Sequence, residues 1–521
     1  MNNRLYTHIK SQLFPFIGLS ILTGLLSAIW ITVFKIAVEI VLNVSTMIYT
    51  FLRQNPIWLP VLILGAAVIG LLSSFILSKS QSCRGGGIPS SIVAIRGIVS
   101  FKWISTIFVL PFSALLTFLC GIPLGTEGPC VQMGTAIGDG VSKCINSKKL
   151  AAWRRYIMTG GAASGFSVAT GCPISAIIFS TEELHKNFSP LALGVASVTV
   201  MASQFTAKVL SLLGLGSITL FHMTTIEALD VKLYFTPLVV GIVCGIGAIG
   251  FTRFYHFFDR TMKKAFNKLP MQVVFPIIFA GISIVGYFFA DALGTGHHFA
   301  EKLLEEQSIW YLLIIVFLLR MAFMMIANTS GVTGGVFLPT VAFGAIIGSL
   351  CASIMISLGW IESDCYTLIV VLGIAAFWGS TSRVPITACV FAIEALGGVN
   401  NILPIIIATT IALLIVEYSG LEDFTDALIL SKIKSISKGK RATVVETSLT
   451  VQSDSFVVGK EIRDVLWPNE CVVISFDRSK ENKDKVGIAE GDVIVVHYKT
   501  YDAKATFDEL TVLVGEQENN I

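Results

Sequence analysis

Charge is scarce in this chain. Of its 521 residues only 14% are Asp, Glu, Lys or Arg and 54% are hydrophobic, a balance that excludes a soluble globular protein of ordinary composition. The ten cysteines lie mostly inside apolar segments with no CxxC pair, which excludes a disulfide frame and the usual metal-ligand spacing. They read as small hydrophobes in a reduced chain. The N-terminus lacks the ordered basic start, short apolar core and small-residue cleavage site of a signal peptide, so no cleaved leader is expected. Neither a phosphate-binding motif nor a nucleophile–base set appears, so the chain is not expected to be an enzyme or to carry a cofactor or metal.

Apolar runs fill the space that charge leaves. Phe16–Val33, Trp58–Leu77, Ile104–Cys120, Pro237–Phe251, Val273–Ala290, Trp310–Ala327 and Ile402–Val416 are long enough, or nearly so, to span a bilayer. A polytopic α-helical membrane protein follows, with residues 1–13 as a short helix at the interface. The net charge of +3 hides an asymmetry. Residues 441–521 hold nine Lys and Arg against fifteen Asp and Glu, a net of −6 that leaves +9 on the other 440 residues. That surplus clusters at Lys143, Lys148, Lys149, Arg154 and Arg155, at Arg260 to Lys268, and at Lys432 to Arg441. Such clusters beside spans mark cytoplasmic loops, and they speak against nucleic-acid binding.

Several segments are broken by Gly and Pro, which membrane depth tolerates only where the backbone lines a cavity or is buried in protein. The stretch Gly121-Ile122-Pro123-Leu124-Gly125-Thr126-Glu127-Gly128-Pro129 places a carboxylate in apolar surroundings. An ionisable group there is costly and marks a functional site by default. Its glycines leave N–H groups uncovered, Pro129 suits a first helical turn, and a helix start favours an anion. The competing reading is a tight turn between core helices with Glu127 as a cap. Arg84-Gly85-Gly86-Gly87-Ile88-Pro89 is a second interruption of this kind.

An internal repeat separates these readings. Pro129, Gly134 and Gly138 recur as Pro339, Gly344 and Gly348, 210 residues later. Gly161, Ala163, Pro173, Phe179, Glu182 and Leu184 recur as Gly373, Ala375, Pro385, Phe391, Glu394 and Leu396 at an offset of 212. Transporters carry such symmetry with substrate held at the repeat interface. Glu182 and Glu394 are partners and read as structural, for example satisfying helix ends. Glu127 faces an apolar turn, Val336 to Leu338, and Glu183 faces Ala395. These two acids break the symmetry, which is where proton chemistry is expected. His185, Lys186 and Asn187 follow Glu183 at once, so a solvated helix end is the alternative for it.

After Ser431 the composition changes. Residues 432–441 read as a basic linker resting on anionic headgroups, and residues 442–521 as a small α+β domain. Strands are expected at Phe456–Val458, Cys471–Phe476, Asp492–Tyr498 and Leu510–Val514, with a polar turn from Arg478 to Lys485.

Taken together, Gly85–Pro89, Gly125–Pro129, Gly335-Val336-Phe337-Leu338-Pro339 and Glu182-Glu183 resemble, in order and spacing, the CLC family of chloride channels and chloride/proton antiporters, over about residues 14–430. The tail resembles, more loosely, the TrkA C-terminal (TrkA_C) domains of potassium-transport regulators. The resemblance implies a homodimer in the plasma membrane, both termini cytoplasmic, with one pore per subunit. It also implies two inverted repeats, about 14–230 and 231–431, within a transport domain of residues 1–431. Gly86, Gly87, Ile88, Val336 and Phe337 match the family's anion-binding backbone, Glu127 its gating glutamate, and Glu183 the internal proton glutamate of the exchangers. Thr425 falls at the family's anion-contacting tyrosine, or Phe424 if the register slips by one. Gly86 stands where chloride-selective members carry serine, and Thr126 where most carry arginine. Proton-coupled exchange of chloride or another small anion is the leading expectation, with a passive channel or a fluoride/proton antiporter as alternatives. The tail is expected to bind a small cytoplasmic ligand such as a nucleotide, or to serve as a structural cap.

Overall fold

The computed structural model describes residues 2–98, 102–144, 151–217, 219–221, 225–266, 268–437, 442–453, 455–468, 471–479, 487–501 and 503–515, with side chains from Phe16 onward. The expectations placed on Lys148, Lys149 and residues 480–485 lie outside this set. The first half runs α1 (Asn2–Gln54), α2 (Leu59–Lys79), α3 (Gly87–Ile95), α4 (Trp103–Leu119), α5 (Glu127–Cys144), α6 (Arg154–Thr170) and α7 (Pro173–Phe179). A π-helical turn, Ser180–His185, then leads to α8 (Pro190–Leu212). The second half runs α9 (Phe235–Phe266), α10 (Met271–Phe288), α11 (His297–Glu305), α12 (Trp310–Ser330) and α13 (Phe337–Ser357). It continues with α14 (Tyr366–Thr381), α15 (Pro385–Ala395), α16 (Ile402–Tyr418) and α17 (Phe424–Ser437). Among the described residues, nine helical segments are long and apolar enough to cross a membrane.

The glycines of the repeat are the contact points of its helices. A Cβ on Gly134 would stand 2.0 Å from the Gly161 carbonyl oxygen, and one on Gly373 2.6 Å from that of Gly344. So α5 lies backbone to backbone on α6, and α14 on α13, a closeness that small residues permit. The two halves also cap each other. Glu182, beyond α7, accepts from Ile386 N (3.1 Å), Thr387 N (2.7 Å) and Thr387 Oγ1 (2.6 Å) at the start of α15. Glu394, at the end of α15, accepts from Ile174 N (3.0 Å) and Ser175 N (2.8 Å) at the start of α7. Each carboxylate satisfies orphan N–H groups at the positive end of a helix dipole.

At both ends of the helical body the structure departs from the sequence expectation. The backbone of residues 2–13 is continuous with α1 rather than a separate interfacial helix. Residues 432–437 belong to α17, because buried Ala427, Leu428, Ile429 and Ile433 carry a helical period past Ser431. Lys432 is turned inward, donating to the carbonyl oxygens of Ser82 and Arg84, and does not rest on headgroups. Residues 438–441 of the expected linker lie outside the described set.

In the tail, β1 (Thr443–Thr450), β2 (Val472–Asp477) and β3 (Val493–Thr500) form an antiparallel sheet of order β1-β3-β2, followed by α18 (Ala503–Val514). Leu449 pairs with Ile494 and Val473 with Val496. Two expected strands are overturned. Leu510–Val514 ends α18, where Thr506, Leu510, Leu513 and Val514 are buried at helical spacing. Phe456–Val458 is a turn, since the run is short and Gly459 follows with φ +80°. Phe456 instead wedges its ring against Trp153 (5.1 Å, edge-on) and Tyr156 (5.7 Å) at the start of α6. The Tyr156 hydroxyl donates to Asp464 O (3.0 Å) and accepts from Leu466 N (2.9 Å), and Arg155 pairs with Glu509. The tail is therefore docked on the helical body through a shared apolar core and paired polar groups.

Candidate functional site

Three helices begin at one point. Gly125 N donates to Gly335 O (2.6 Å) and Gly335 N to Gly125 O (2.7 Å), so the two Gly-rich turns of the repeat pair like a fragment of sheet. A Cβ on Gly87 would stand 1.7 Å from Gly128 O, and one on Gly128 2.7 Å from Gly335 Cα. The starts of α3, α5 and α13 are thereby pressed together with no room for side chains. Neither Gly86 nor Val336, the residues preceding α3 and α13, supplies a side-chain cap. Leading N–H groups without such caps, at the positive ends of converging dipoles, are suited to holding an anion. Gly86, Gly87, Ile88, Val336 and Phe337 all lie at this junction.

Glu127 is the first residue of α5 and is wholly buried. Its Oε1 accepts from Thr126 Oγ1 at 2.7 Å, while its Oε2 is buried without a hydrogen-bond partner. A Cβ on Gly125 would come within 3.0 Å of that oxygen, so the carboxyl folds back over the turn that Gly125 and Gly335 share. An acid with a spare acceptor thus sits where helix starts favour negative charge. The opposing turn, Val336 to Leu338, is apolar.

Phe337 lies edge-on to Trp378 (4.6 Å), Phe166 (5.2 Å) and Phe391 (5.5 Å). This aromatic wall was not legible in the sequence, because its members come from α6, α13, α14 and α15. The wall packs rings from four helices around the start of α13, and the Trp378 indole N–H is the side-chain donor it carries.

Glu183 lies in the π-helical turn and is buried. Thr425 Oγ1 donates to its Oε1 at 3.2 Å. The neighbouring Phe424 packs away against Phe251 (4.9 Å) and Tyr255 (5.2 Å), so Thr425 is the residue that faces the acid. Lys186, which the sequence offers only as the sign of a solvated helix end, and Asp423 join Glu183 and Thr425 here. Lys186 Nζ donates to Asp423 Oδ2 at 2.8 Å. Away from this site, His297, His298 and Glu301 are close enough together to hold a metal ion. His297 Nε2 there already lies 2.6 Å from Leu220 O.

The sequence profile described as voltage gated chloride channel matches residues 65–417. The H(+)/Cl(-) exchange transporter ClcA of Vibrio vulnificus (strain YJ016) is 26% identical over 432 residues, covering 80% of this chain and 90% of that relative. The protein of the same name from Salmonella arizonae is 24% identical over 369 residues, covering 69% and 76%. Among solved structures, a slow cyanobacterial Cl-/H+ antiporter superposes with TM-score 0.72 at 21% identity, covering 80% of this chain and 98% of that one. A CLC-type fluoride/proton antiporter superposes with TM-score 0.65, also at 21% identity, covering 78% and 96%.

Proposed function

The chain belongs to the voltage gated chloride channel family, and from that premise we propose that it exchanges a small anion, chloride first, for protons. The observation that carries this reading is Glu127, a buried carboxyl with one unpartnered oxygen at the junction of three helix starts. An ionised Glu127 competes with the anion for the same N–H groups. Once protonated it loses that attraction and leaves the site to the anion. Proton and anion occupancy are thereby linked at one residue, and the linkage is reciprocal in binding free energy. Glu183, buried beside Thr425, is the second proton station and serves the cytoplasmic side. In this reading Gly86–Ile88, Val336 and Phe337 hold the anion by backbone N–H groups.

The passive-channel reading is favoured by a specific observation. Thr425 spends its hydroxyl proton on Glu183, and Gly86 has no hydroxyl, so side-chain donors to a central anion are few. Weak central binding loosens coupling. A fluoride/proton antiporter is the alternative for substrate. A membrane enzyme using Glu127 as an acid is the weakest reading, because Asp139, twelve residues on, is already paired with Lys143 (2.7 Å) and Arg154 (2.6 Å).

The protein is read as a plasma-membrane homodimer with both termini cytoplasmic. The half-buried caps Glu182 and Glu394 lie beside exposed Ile174 and Ile386. Carboxylates are costly against lipid, so this face suits a second subunit. The tail is read as a TrkA_C-like regulatory module for a small cytoplasmic ligand such as a nucleotide, with a structural cap as the rival. Deleting residues 442–521 without change in flux, dimer stability or nucleotide response removes the regulatory reading. For transport, the test is a pH electrode on proteoliposomes under an imposed chloride gradient, repeated with fluoride. Proton movement against its own gradient supports exchange, and anion flux without it supports the channel.

A further inference from the structure

Glu183 is held by an unusual piece of backbone. The six residues Ser180–His185 form a π-helical turn, a rare form that recurs at functional sites. The next residue, Lys186, adopts φ 52° and ψ 28°, left-handed values that a long side chain rarely takes. Such strain persists only where the surroundings over-determine it.

The surroundings do so here. Lys186 Nζ donates to Asp423 Oδ2 at 2.8 Å and to Asp426 Oδ2 at 2.6 Å. Asp423 is buried, and its other oxygen accepts from Thr425 N at 2.9 Å at the start of α17. Thr425 in turn donates its hydroxyl to Glu183. The links close a ring from Glu183 through Thr425, Asp423 and Lys186 back to the π-turn. It joins segments about 240 residues apart in sequence, so no local rule of chain geometry creates it. The charged groups near Glu183 are Asp423, Lys186 and Glu182, the last with its carboxylate turned to the start of α15. His185 points elsewhere, to Thr159 Oγ1 at 2.8 Å.

We propose that the Lys186–Asp423 ion pair is a latch that positions Glu183 against Thr425 and so sets proton exchange between Glu183 and the tail-facing solution. The proposal rests on the reading of Glu183 as a proton station. Lys186 and Asp423 are positioning residues: they hold the acid's carrier turn to α17 and screen its charge, without taking the anion. Breaking the pair lets the strained turn relax, which draws Glu183 away from Thr425. Proton transfer suffers while the anion junction, built from other elements, is left intact.

The experiment measures anion and proton flux together in proteoliposomes for Lys186→Met, Asp423→Asn, Lys186→Arg and Glu183→Gln. In Lys186→Met and Asp423→Asn the protons moved per anion fall by about tenfold, within the range of ordinary coupling between sites. Their proton flux also changes its dependence on the pH of the tail-facing solution, and anion flux is retained. Lys186→Arg, which keeps the charge, keeps the ratio. Should Lys186→Met not fold, Asp423→Asn carries the test with a side chain of nearly the same shape. Wild-type ratio and pH profile in the folded latch variants, alongside lost coupling in Glu183→Gln, overturn the latch alone. Anion and proton flux falling in parallel also overturn it, since that marks a structural role. Coupling that survives Glu183→Gln overturns the reading of Glu183 and the latch with it.

Discussion

Glu182 and Glu394 exchange helix caps across the repeat: each carboxylate closes the helix that belongs to the other's half of the chain. The arrangement predicts a stability effect without a transport effect. Glu182→Ala and Glu394→Ala each remove a charge-assisted cap, with a cost of about 1–2 kcal/mol. Thermal unfolding in detergent is expected to shift to lower temperature for both variants. The proton-to-anion ratio of the reconstituted protein is expected to stay at the wild-type value.

Thr126 donates to Glu127 Oε1 and so steadies the carboxyl over the junction of helix starts. Thr126→Val removes a hydrogen bond to a charged acceptor, an interaction of about 1.5–3 kcal/mol. Glu127 then leaves the site more readily, and anion efflux is expected to rise by about tenfold, the equivalent of about 1.4 kcal/mol. Thr126→Ser keeps the donor and should leave efflux unchanged. Stopped efflux measured with a chloride electrode distinguishes the two.

The junction also predicts where a methyl group is intolerable. A Cβ at Gly87 meets Gly128 O at 1.7 Å, whereas one at Gly65 meets nothing within 4 Å. Gly87→Ala forces the helix starts apart, an overpacking cost of about 1–3 kcal/mol or more. It is expected to abolish anion flux or folding, while Gly65→Ala behaves as wild type in size-exclusion profile and efflux.

The junction was legible because glycine and proline leave a local signature. Pro129 and Pro339 mark helix starts, and Gly134, Gly138, Gly344 and Gly348 recur because each meets a neighbouring backbone. The symmetric acids could be assigned to the fold from the repeat alone, and they prove to cap helices. What escaped the sequence was made by distance along the chain. Lys186 and Asp423 are 237 positions apart, and nothing near either one announces the pair. The tail departs from expectation for a different reason. A five-residue run such as Leu510–Val514 fits strand and helix equally until burial shows the period, and β1 buries little beyond Leu449.

Docking of the tail depends on Tyr156, whose hydroxyl serves Asp464 O and Leu466 N together. Tyr156→Phe leaves the Leu466 N–H buried without its partner, a penalty of about 1–3 kcal/mol. Limited proteolysis between residues 437 and 443 is expected to release the domain several-fold faster than in wild type. An unchanged cleavage rate contradicts the docking role of this residue.

The central claim is that Glu127 couples anion and proton movement at one site, and Glu127→Gln tests it most directly. Proteoliposomes carrying the wild-type protein, given an outward chloride gradient and a pH electrode outside, should take up protons against their own gradient as chloride leaves. With Glu127→Gln the account predicts that this uptake disappears while some anion flux remains. Full proton uptake in Glu127→Gln would contradict the account.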